Sequence, residues 1–366
     1  MKSAIVSFGT ANPKYIHPQD NLAEIISLHL ALKPVEKRLL KSVYRATGIE
    51  QRYSVLNSCT SDADEIEFFS GNPDTPFPST AVRMKIYRNN AIHLALAAIE
   101  NMNSDELEKI THVITVSCTG MYAPGIDIEI VQKLNLNSST KRTSINFMGC
   151  YGAFNAIKVA DAICTAEPNA TVLVVCVEIC TIHFQKGMSL DNIVANSIFA
   201  DGAAAILIQG KSETKHKKYL TLEGFHCDLV PQTEQSMAWE IADSGFDIVL
   251  SSYVPDIINQ GIEKFFQKLL HQGGLVLNDI DFFAIHPGGI KILHACEKAL
   301  NLTPEHNKYS YNILKKYGNM SSATILFVLK AIWNDLASQD HHKNIFSCAF
   351  GPGLTLESML LKAHHV

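Results

Sequence analysis

Apolar residues run in short unbroken blocks along much of this chain, separated by segments where they recur at helical spacing. The blocks at 2–10 (KSAIVSFGT), 112–120 (HVITVSCTG), 170–180 (ATVLVVCVEIC) and 201–210 (DGAAAILIQG) read as strands. A strand without polar alternation belongs in a sheet covered on both faces. Residues 21–46 and 81–102 read as helical, and 70–80 (SGNPDTPFPST) as a Pro/Gly loop. The polar stretch 210–219 reads as a linker, after which the pattern restarts with a strand at 219–228. Helices follow, then DIDFFAIHPGG at 279–289, YGNMSSATILFVLKAIW at 317–333 and a final strand at 344–361.

The two halves echo each other. In the first, a strand ending Cys118-Thr119-Gly120 precedes a strand-turn-helix around Cys150; in the second, a strand ending His286-Pro287-Gly288-Gly289 precedes the small-residue helix start at 318–324. The economical reading is a duplicated, layered α/β unit, with halves 1–210 and 219–366. Cys150, His286 and Asn319 would then lie at corresponding element ends facing a shared interface.

The chain has 366 residues, 47% hydrophobic and 18% charged, with net charge −5. That mild acidity argues against a nucleic-acid surface. The longest apolar runs fall short of the roughly 20 residues of a membrane span. The apolar start is interrupted too early, at Asn12, Lys14 and Gln19, for the core of a signal peptide. Several of the nine cysteines sit inside apolar runs, which suggests reduced thiols and a cytoplasmic location. No Cys or His spacing suggests a zinc site, and no Gly-rich phosphate loop is present.

One cysteine differs from the others. Cys150 stands where the run 145–148 turns into a helix whose stripe is Ala153, Ile157, Ala160 and Cys164, ending near Pro168. A buried cysteine is commonly an inert small hydrophobe. Here Gly149 and Gly152 allow the sharp turn that presents a nucleophile, and a helix N-terminus favours a thiolate. His286, held by Pro287 and two glycines at a strand end, can point into a cleft; Asn319, otherwise an ordinary helix cap, completes a Cys-His-Asn set.

FMGCYGA, FADGAAAIL, IHPGG, YGNMSSAT and AFGPGLTLE occur in this order across nearly the whole chain. Together they resemble the type III polyketide synthases, the chalcone synthase-like enzymes of the thiolase superfamily, and CTGMYAPGID at 118–127 resembles their bacterial members. The resemblance implies an α/β fold of five layers, αβαβα, built from two thiolase-like halves, in a homodimer. It implies an acyltransferase in which Cys150 carries the acyl group, His286 and Asn319 assist, and Phe199 is a gatekeeper. An acyl-CoA starter would be extended by decarboxylative condensation with malonyl-CoA and cyclised to a pyrone, resorcinol or phloroglucinol-type product. A thiolate–imidazolium pair of Cys150 and His286 is expected to activate the thiol. CoA thioesters would be the substrates, with no further cofactor and no metal.

The resemblance also places Cys118, Thr119, Cys180, His183, Trp239, Ile248, Ser321 and Pro352 around the elongation cavity. Trp239 would block an aromatic-starter pocket if it points inward, and Ile248 and Ala123 would open space elsewhere, favouring an aliphatic starter. Lys37, Arg38 and Lys41, with Gly289, are candidates for contact with CoA. The family's GFGPG loop carries alanine at position 349, where a positive φ would be strained. The rival reading is a β-ketoacyl synthase III-like enzyme served by an acyl carrier protein; a partner subunit without activity is disfavoured by the intact Cys-His-Asn set.

Overall fold

The computed structural model describes residues 2–57, 77–210, 216–250 and 254–365. Most of the expected loop at 70–80, and 211–215 of the expected linker, lie outside the described residues.

Along the chain come β1 (Ser3–Ala11), β2 (Tyr15–Pro18), α1 (Gln19–His29), α2 (Pro34–Ala46), β3 (Gln51–Ser54) and α3 (Thr80–Glu100). Then follow β4 (His112–Ser117), α4 (Ile126–Lys133), β5 (Lys141–Asn146), α5 (Gly152–Ala166), β6 (Thr171–Ile179), α6 (Leu190–Ile198) and β7 (Asp201–Gly210). Beyond the linker lie β8 (Lys218–Leu229), β9 (Met237–Ala242), β10 (Gly245–Leu250), α7 (Val254–Gln272), β11 (Phe282–Ile285) and α8 (Ile290–Leu300). The chain closes with α9 (Lys308–Tyr317), α10 (Thr324–Asp335), β12 (Asn344–Gly351) and β13 (Thr355–His365).

Nine strands are hydrogen-bonded in the order β11-β12-β13-β8-β1-β7-β6-β4-β5. The pairings repeat about the central β1–β8 contact. On one side β1–β7 and β7–β6 are antiparallel and β6–β4 parallel; on the other β8–β13 and β13–β12 are antiparallel and β12–β11 parallel. β4 therefore corresponds to β11, and α5 to α10.

Side chains alternate between two apolar clusters along each central strand, as a sheet buried on both faces requires. Val172, Val174 and Cys176 of β6 pack in the central cluster with α5 and α10, whereas Leu173, Val175 and Val177 face α3 on the outside. In the second half Ile345 and Ala349 of β12 join the same central cluster, while Phe346, Cys348 and Phe350 face α7 and α8. The layers are thus α3/α4, strands, α5/α10, strands and α7/α8. The two central helices start at the Cys150 turn and just after Asn319.

The structure changes three readings. The expected final strand is two strands, interrupted by a turn at Pro352–Leu354, where proline cannot continue the ladder. The β9–β10 hairpin, which carries Trp239 and Ile248, was not expected. Ala349 lies buried inside β12 opposite Glu357, and the positive φ in this loop falls on Gly353 at 71° and Leu354 at 27°, so the alanine is unstrained.

Candidate active site

A single turn of 3-10 helix, Gly149–Tyr151, joins β5 to α5 and presents Cys150. Gly149 has φ 75°, and a Cβ there would lie 2.3 Å from Pro352 Cδ. Only glycine suits both the left-handed backbone and the close approach. The turn is also tied from below, where Gly149 N–H donates to Cys118 Sγ at 3.0 Å. Cys118 therefore braces the Cys150 turn as well as lining the cavity.

Asn319 lies between α9 and α10. Its Oδ1 accepts the Ser321 N–H at 2.9 Å and the Thr324 hydroxyl at 3.4 Å, so it does organise the helix start. Its amide NH₂ lies 3.2 Å from Gly288 O and 3.9 Å from Cys150 Sγ, and that sulfur is also 4.0 Å from Oδ1. His286 follows β11, its N–H bonded to Cys348 O at 2.8 Å. Its ring is buried, and among the described residues neither ring nitrogen has a hydrogen-bond partner.

Cys150, His286 and Asn319 line one cavity of about 310 Å³. Cys118, Thr119, Cys180, Phe199, Trp239, Ile248, Ser321, Pro352 and Gly289 line it too. The remaining wall is largely aliphatic, including Val43, Val194, Ile198, Leu250 and Ile290. A second cavity of about 70 Å³ shares Cys180, Phe199, Trp239 and Ile248 with the first and reaches His183. Trp239 thus faces both spaces, held by its indole N–H, which donates to Cys118 O at 2.7 Å. His183 borders only the smaller space: Nδ1 accepts the Phe246 N–H at 2.9 Å, so Nε2 donates to Thr119 O at 2.7 Å. Its ring stacks on Phe246 at 4.1 Å between centroids.

The electrostatics depart from the expected ion pair. Burial pushes the Cys150 thiol up to about 11, opposed by hydrogen bonds from Ser321 and Asn319. Burial also pulls His286 down to about 3. The apolar surroundings penalise both charged forms and so favour a neutral thiol and a neutral imidazole at rest, and among the described residues no carboxylate is hydrogen-bonded to the ring.

The proposed CoA contacts fare unevenly. Lys37 and Lys41 both close on the Glu24 carboxylate, and neither they nor Arg38 line the cavity. From the same helix it is Val43 and Ala46 that reach it, because α2 turns its apolar side inward. Lys291, beside Gly289, lines the cavity and was not singled out from sequence.

Sequence reasoning also missed Glu178, the lone acid in the run 170–180. It is fully buried behind the turn, accepting Cys118 N–H at 3.0 Å, the Thr119 hydroxyl at 2.9 Å and the Ser322 hydroxyl. Burial raises it to about 7 against those hydrogen bonds. An acid in an otherwise unbroken apolar strand was the available signal, since such a group needs donors from elsewhere in the fold.

A family model for the N-terminal domain of chalcone and stilbene synthases matches residues 1–212, and one for the C-terminal domain matches 222–365. The alpha-pyrone synthesis polyketide synthase-like Pks18 of Mycobacterium tuberculosis is 30% identical over 365 residues, covering 98% of this chain and 90% of that protein. Probable polyketide synthase 1 of Dictyostelium discoideum is 30% identical over 366 residues, but this chain spans only 11% of its length. Among solved structures, the C-terminal type III polyketide synthase domain of Steely1, a type I/III hybrid from Dictyostelium, superposes with TM-score 0.90 at 27% identity over 100% of both chains. PKS-I from the brown alga Ectocarpus siliculosus gives 0.88 at 28% identity, over 99% of this chain and 98% of that one. The thiolase-like fold expected from the sequence motifs is the fold found.

Proposed function

We propose that this chain, which belongs to the chalcone and stilbene synthase family of type III polyketide synthases, loads an acyl group from a CoA thioester onto Cys150 and extends it with malonyl-CoA. Members of the family are acyltransferases. The observation that carries the residue assignment is the convergence of Cys150, His286 and Asn319 on one apolar cavity, with the Asn319 amide 3.9 Å from the sulfur.

The neutral resting pair sets the order of events. As the thioester carbonyl approaches, His286 takes the Cys150 proton, the sulfur attacks, and the CoA thiolate leaves with that proton. His286 is then neutral again, and its ring N–H and the Asn319 NH₂ are two donors for a developing oxyanion. When malonyl-CoA loses CO₂, the electron pair of the broken C–C bond enters an enolate whose oxygen these donors stabilise. The enolate carbon attacks the acyl group on Cys150, a C–C bond forms, and the cysteine sulfur leaves. Repetition lengthens the chain until it fills the cavity and cyclises to a pyrone or resorcinol-type product.

The aliphatic wall and the inward Trp239 favour an aliphatic starter. Mass spectrometry of products from a panel of acyl-CoAs with malonyl-CoA tests this reading. Preference for aromatic starters would reject the aliphatic assignment, and turnover only with carrier-protein thioesters would reject CoA specificity in favour of the carrier-protein rival, which the family match disfavours.

The halves 1–210 and 219–366 would act as one unit, since the first supplies the nucleophile and the second its two partners. A homodimer is supported by β5, an exposed strand whose outer edge has no partner among the described residues and is open to a second copy. A monomer mass by light scattering would reject it. Among the described residues no helix is long and apolar enough to cross a membrane, and all eight described cysteines are free thiols, which supports a reducing, cytoplasmic setting.

A further inference from the structure

Far from the cavity, three histidines meet at the end of the last strand. His341 and His342 lie in the turn before β12, and His364 near the end of β13. One nitrogen from each lies within 4.8 Å of those of the other two. Ring centroids are 3.7 Å apart for His341 and His342, and 5.5 and 5.3 Å from these to His364. We propose that His341, His342 and His364 form a binding site for a first-row transition-metal dication, of the zinc class, which clips the end of β13 to the turn before β12.

The framework is already in place. His342 N–H donates to Ala363 O at 2.8 Å, and Ala363 N–H donates to Lys343 O at 2.8 Å, so two backbone bonds fix the turn against the strand. His342 itself has φ 70°. A side chain is held in that left-handed region only where its surroundings enforce it, and here the conformation brings its ring over His341. His364 is half-buried, with one face stacked on Tyr219 at 4.5 Å between centroids.

Its tautomer follows from its neighbours. The Thr221 hydroxyl gives its one proton to Glu223 at 2.6 Å, so at 3.1 Å its oxygen accepts from His364 Nε2. That puts the ring proton on Nε2, the form taken by an imidazole that ligates through Nδ1. A carboxylate acting through a hydroxyl on a ligating imidazole is the outer support that metal-bound histidines use. His341 needs one adjustment, because its Nδ1 accepts the His365 N–H at 3.3 Å. Binding through Nδ1 displaces that long contact; binding through Nε2 moves the ring proton to Nδ1.

The chemistry selects the ion. Three imidazoles, with no carboxylate grouped with them among the described residues, suit Zn²⁺, Co²⁺, Ni²⁺ or Cu²⁺, and offer nothing to Mg²⁺ or Ca²⁺. Tetrahedral Zn–N bonds of about 2.0 Å would draw the nitrogens to roughly 3.3 Å apart, a closure that exposed His342 and half-buried His341 can make by rotating their side chains. The exposed side leaves a fourth position for water. From Thr355, beside the Pro352 turn, to His364 is a strand path of about 30 Å, so the ion would hold the fold's edge and take no part at Cys150. The sequence carries the signal as two His-His pairs, 341–342 and 364–365, too far apart along the chain for any spacing rule to join them.

Equilibrium dialysis against Zn²⁺ with metal analysis, and thermal melts with Zn²⁺, Co²⁺ or Mg²⁺, test the site on the full chain. Wild type is expected to hold one more Zn²⁺ than His364→Ala and His342→Ala, or to bind it at least about tenfold more tightly. Its Tm should rise with Zn²⁺ and Co²⁺ by mass action, and not with Mg²⁺. His342→Ala, at an exposed position, reads the site even if His364→Ala fails to fold. Thiol-bound zinc is common to all variants and cancels in the difference. Equal zinc content and equal melting shifts in wild type and His342→Ala, or an equal shift with Mg²⁺, would overturn the proposal.

Discussion

At the scale of single residues, charge state decides most. A thiol held near 11 beside an imidazole held near 3 is nucleophilic only when a proton can be passed at the moment of attack. The rate of Cys150 alkylation by iodoacetamide should therefore climb steadily with pH from about 6 to about 9, with no plateau near neutrality. His286→Ala should leave that slope in place while suppressing product formation on the order of 10² or more. A flat alkylation profile around neutral pH that becomes steep in His286→Ala would restore the ion pair. Glu178 carries the opposite kind of information. Burial lifts it from the ordinary 4.5 to about 7, so the native state binds its proton more tightly than the unfolded chain. Its stability contribution is complete below about pH 4.5 and is lost as pH rises through about 7. Glu178→Gln can keep an oxygen toward Cys118 and Thr119 and turn its NH₂ to the Ser322 hydroxyl. Its stability relative to wild type should therefore improve between about pH 5 and about pH 8, by up to about 3 kcal/mol. Chemical denaturation at both pH values checks this, and a difference independent of pH would show that Glu178 is ionised throughout.

At the scale of elements, what could be read from sequence follows from how each element is buried. β6 and β7 are covered on both faces, so their apolar runs were unmistakable, and α5 was legible from its stripe of Ala153, Ile157, Ala160 and Cys164. The β9–β10 hairpin is half-exposed along most of its length, and Trp239 and Ile248 face a cavity, so neither alternation nor an apolar block marks it. The break at Pro352 was hidden because Phe350, Leu354 and Leu356 continue the apolar pattern through the turn. That turn matters to Cys150, because Pro352 and Gly149 meet with no room for a methyl group. Gly149→Ala should push the two turns apart and shift Cys150, and a misplacement of about 1 Å can cost on the order of 10² in rate. Product formation by a variant shown to be folded by circular dichroism is the measurement. Wild-type turnover would mean that the turn's geometry does not set the position of the sulfur.

At the scale of the whole molecule, duplication explains why residues so distant in sequence share a site. Equivalent ends of β4 and β11 and of α5 and α10 meet across the central layer, and the repeat order of strand, turn and helix was visible in the two halves. The cavity's other contacts were less legible: α2 offers Val43 and Ala46 rather than its lysines, since which side of a helix reaches a cleft depends on packing that no local pattern records. The same limit applied to Trp239, which the fold places between two spaces of about 310 and 70 Å³. Its ring packs beside Phe199, His183 and Phe246, with centroids 6.4, 5.5 and 5.9 Å away, and its N–H is spent on Cys118 O. Trp239→Gly would delete this partition and join the spaces. A growing chain would then have room to stay extended for longer before folding back, so the variant should accept bulkier starters or add a further malonyl unit. Truncating a buried aromatic costs up to about 3–5 kcal/mol; the cost here should fall below that because the indole already borders empty space. Cys118→Phe, the obvious way to fill the opposite wall, is a poor partner experiment, because its sulfur holds the Gly149 N–H and the change would disturb the Cys150 turn. The informative comparison is wild type against Trp239→Gly, each given short and long aliphatic acyl-CoAs with malonyl-CoA, with products resolved by mass spectrometry and Tm measured alongside. Longer products or a wider starter range with a modest fall in Tm would show that the indole limits chain growth; an unchanged product pattern with reduced yield would show that it only packs, and would remove the main support for an aliphatic starter.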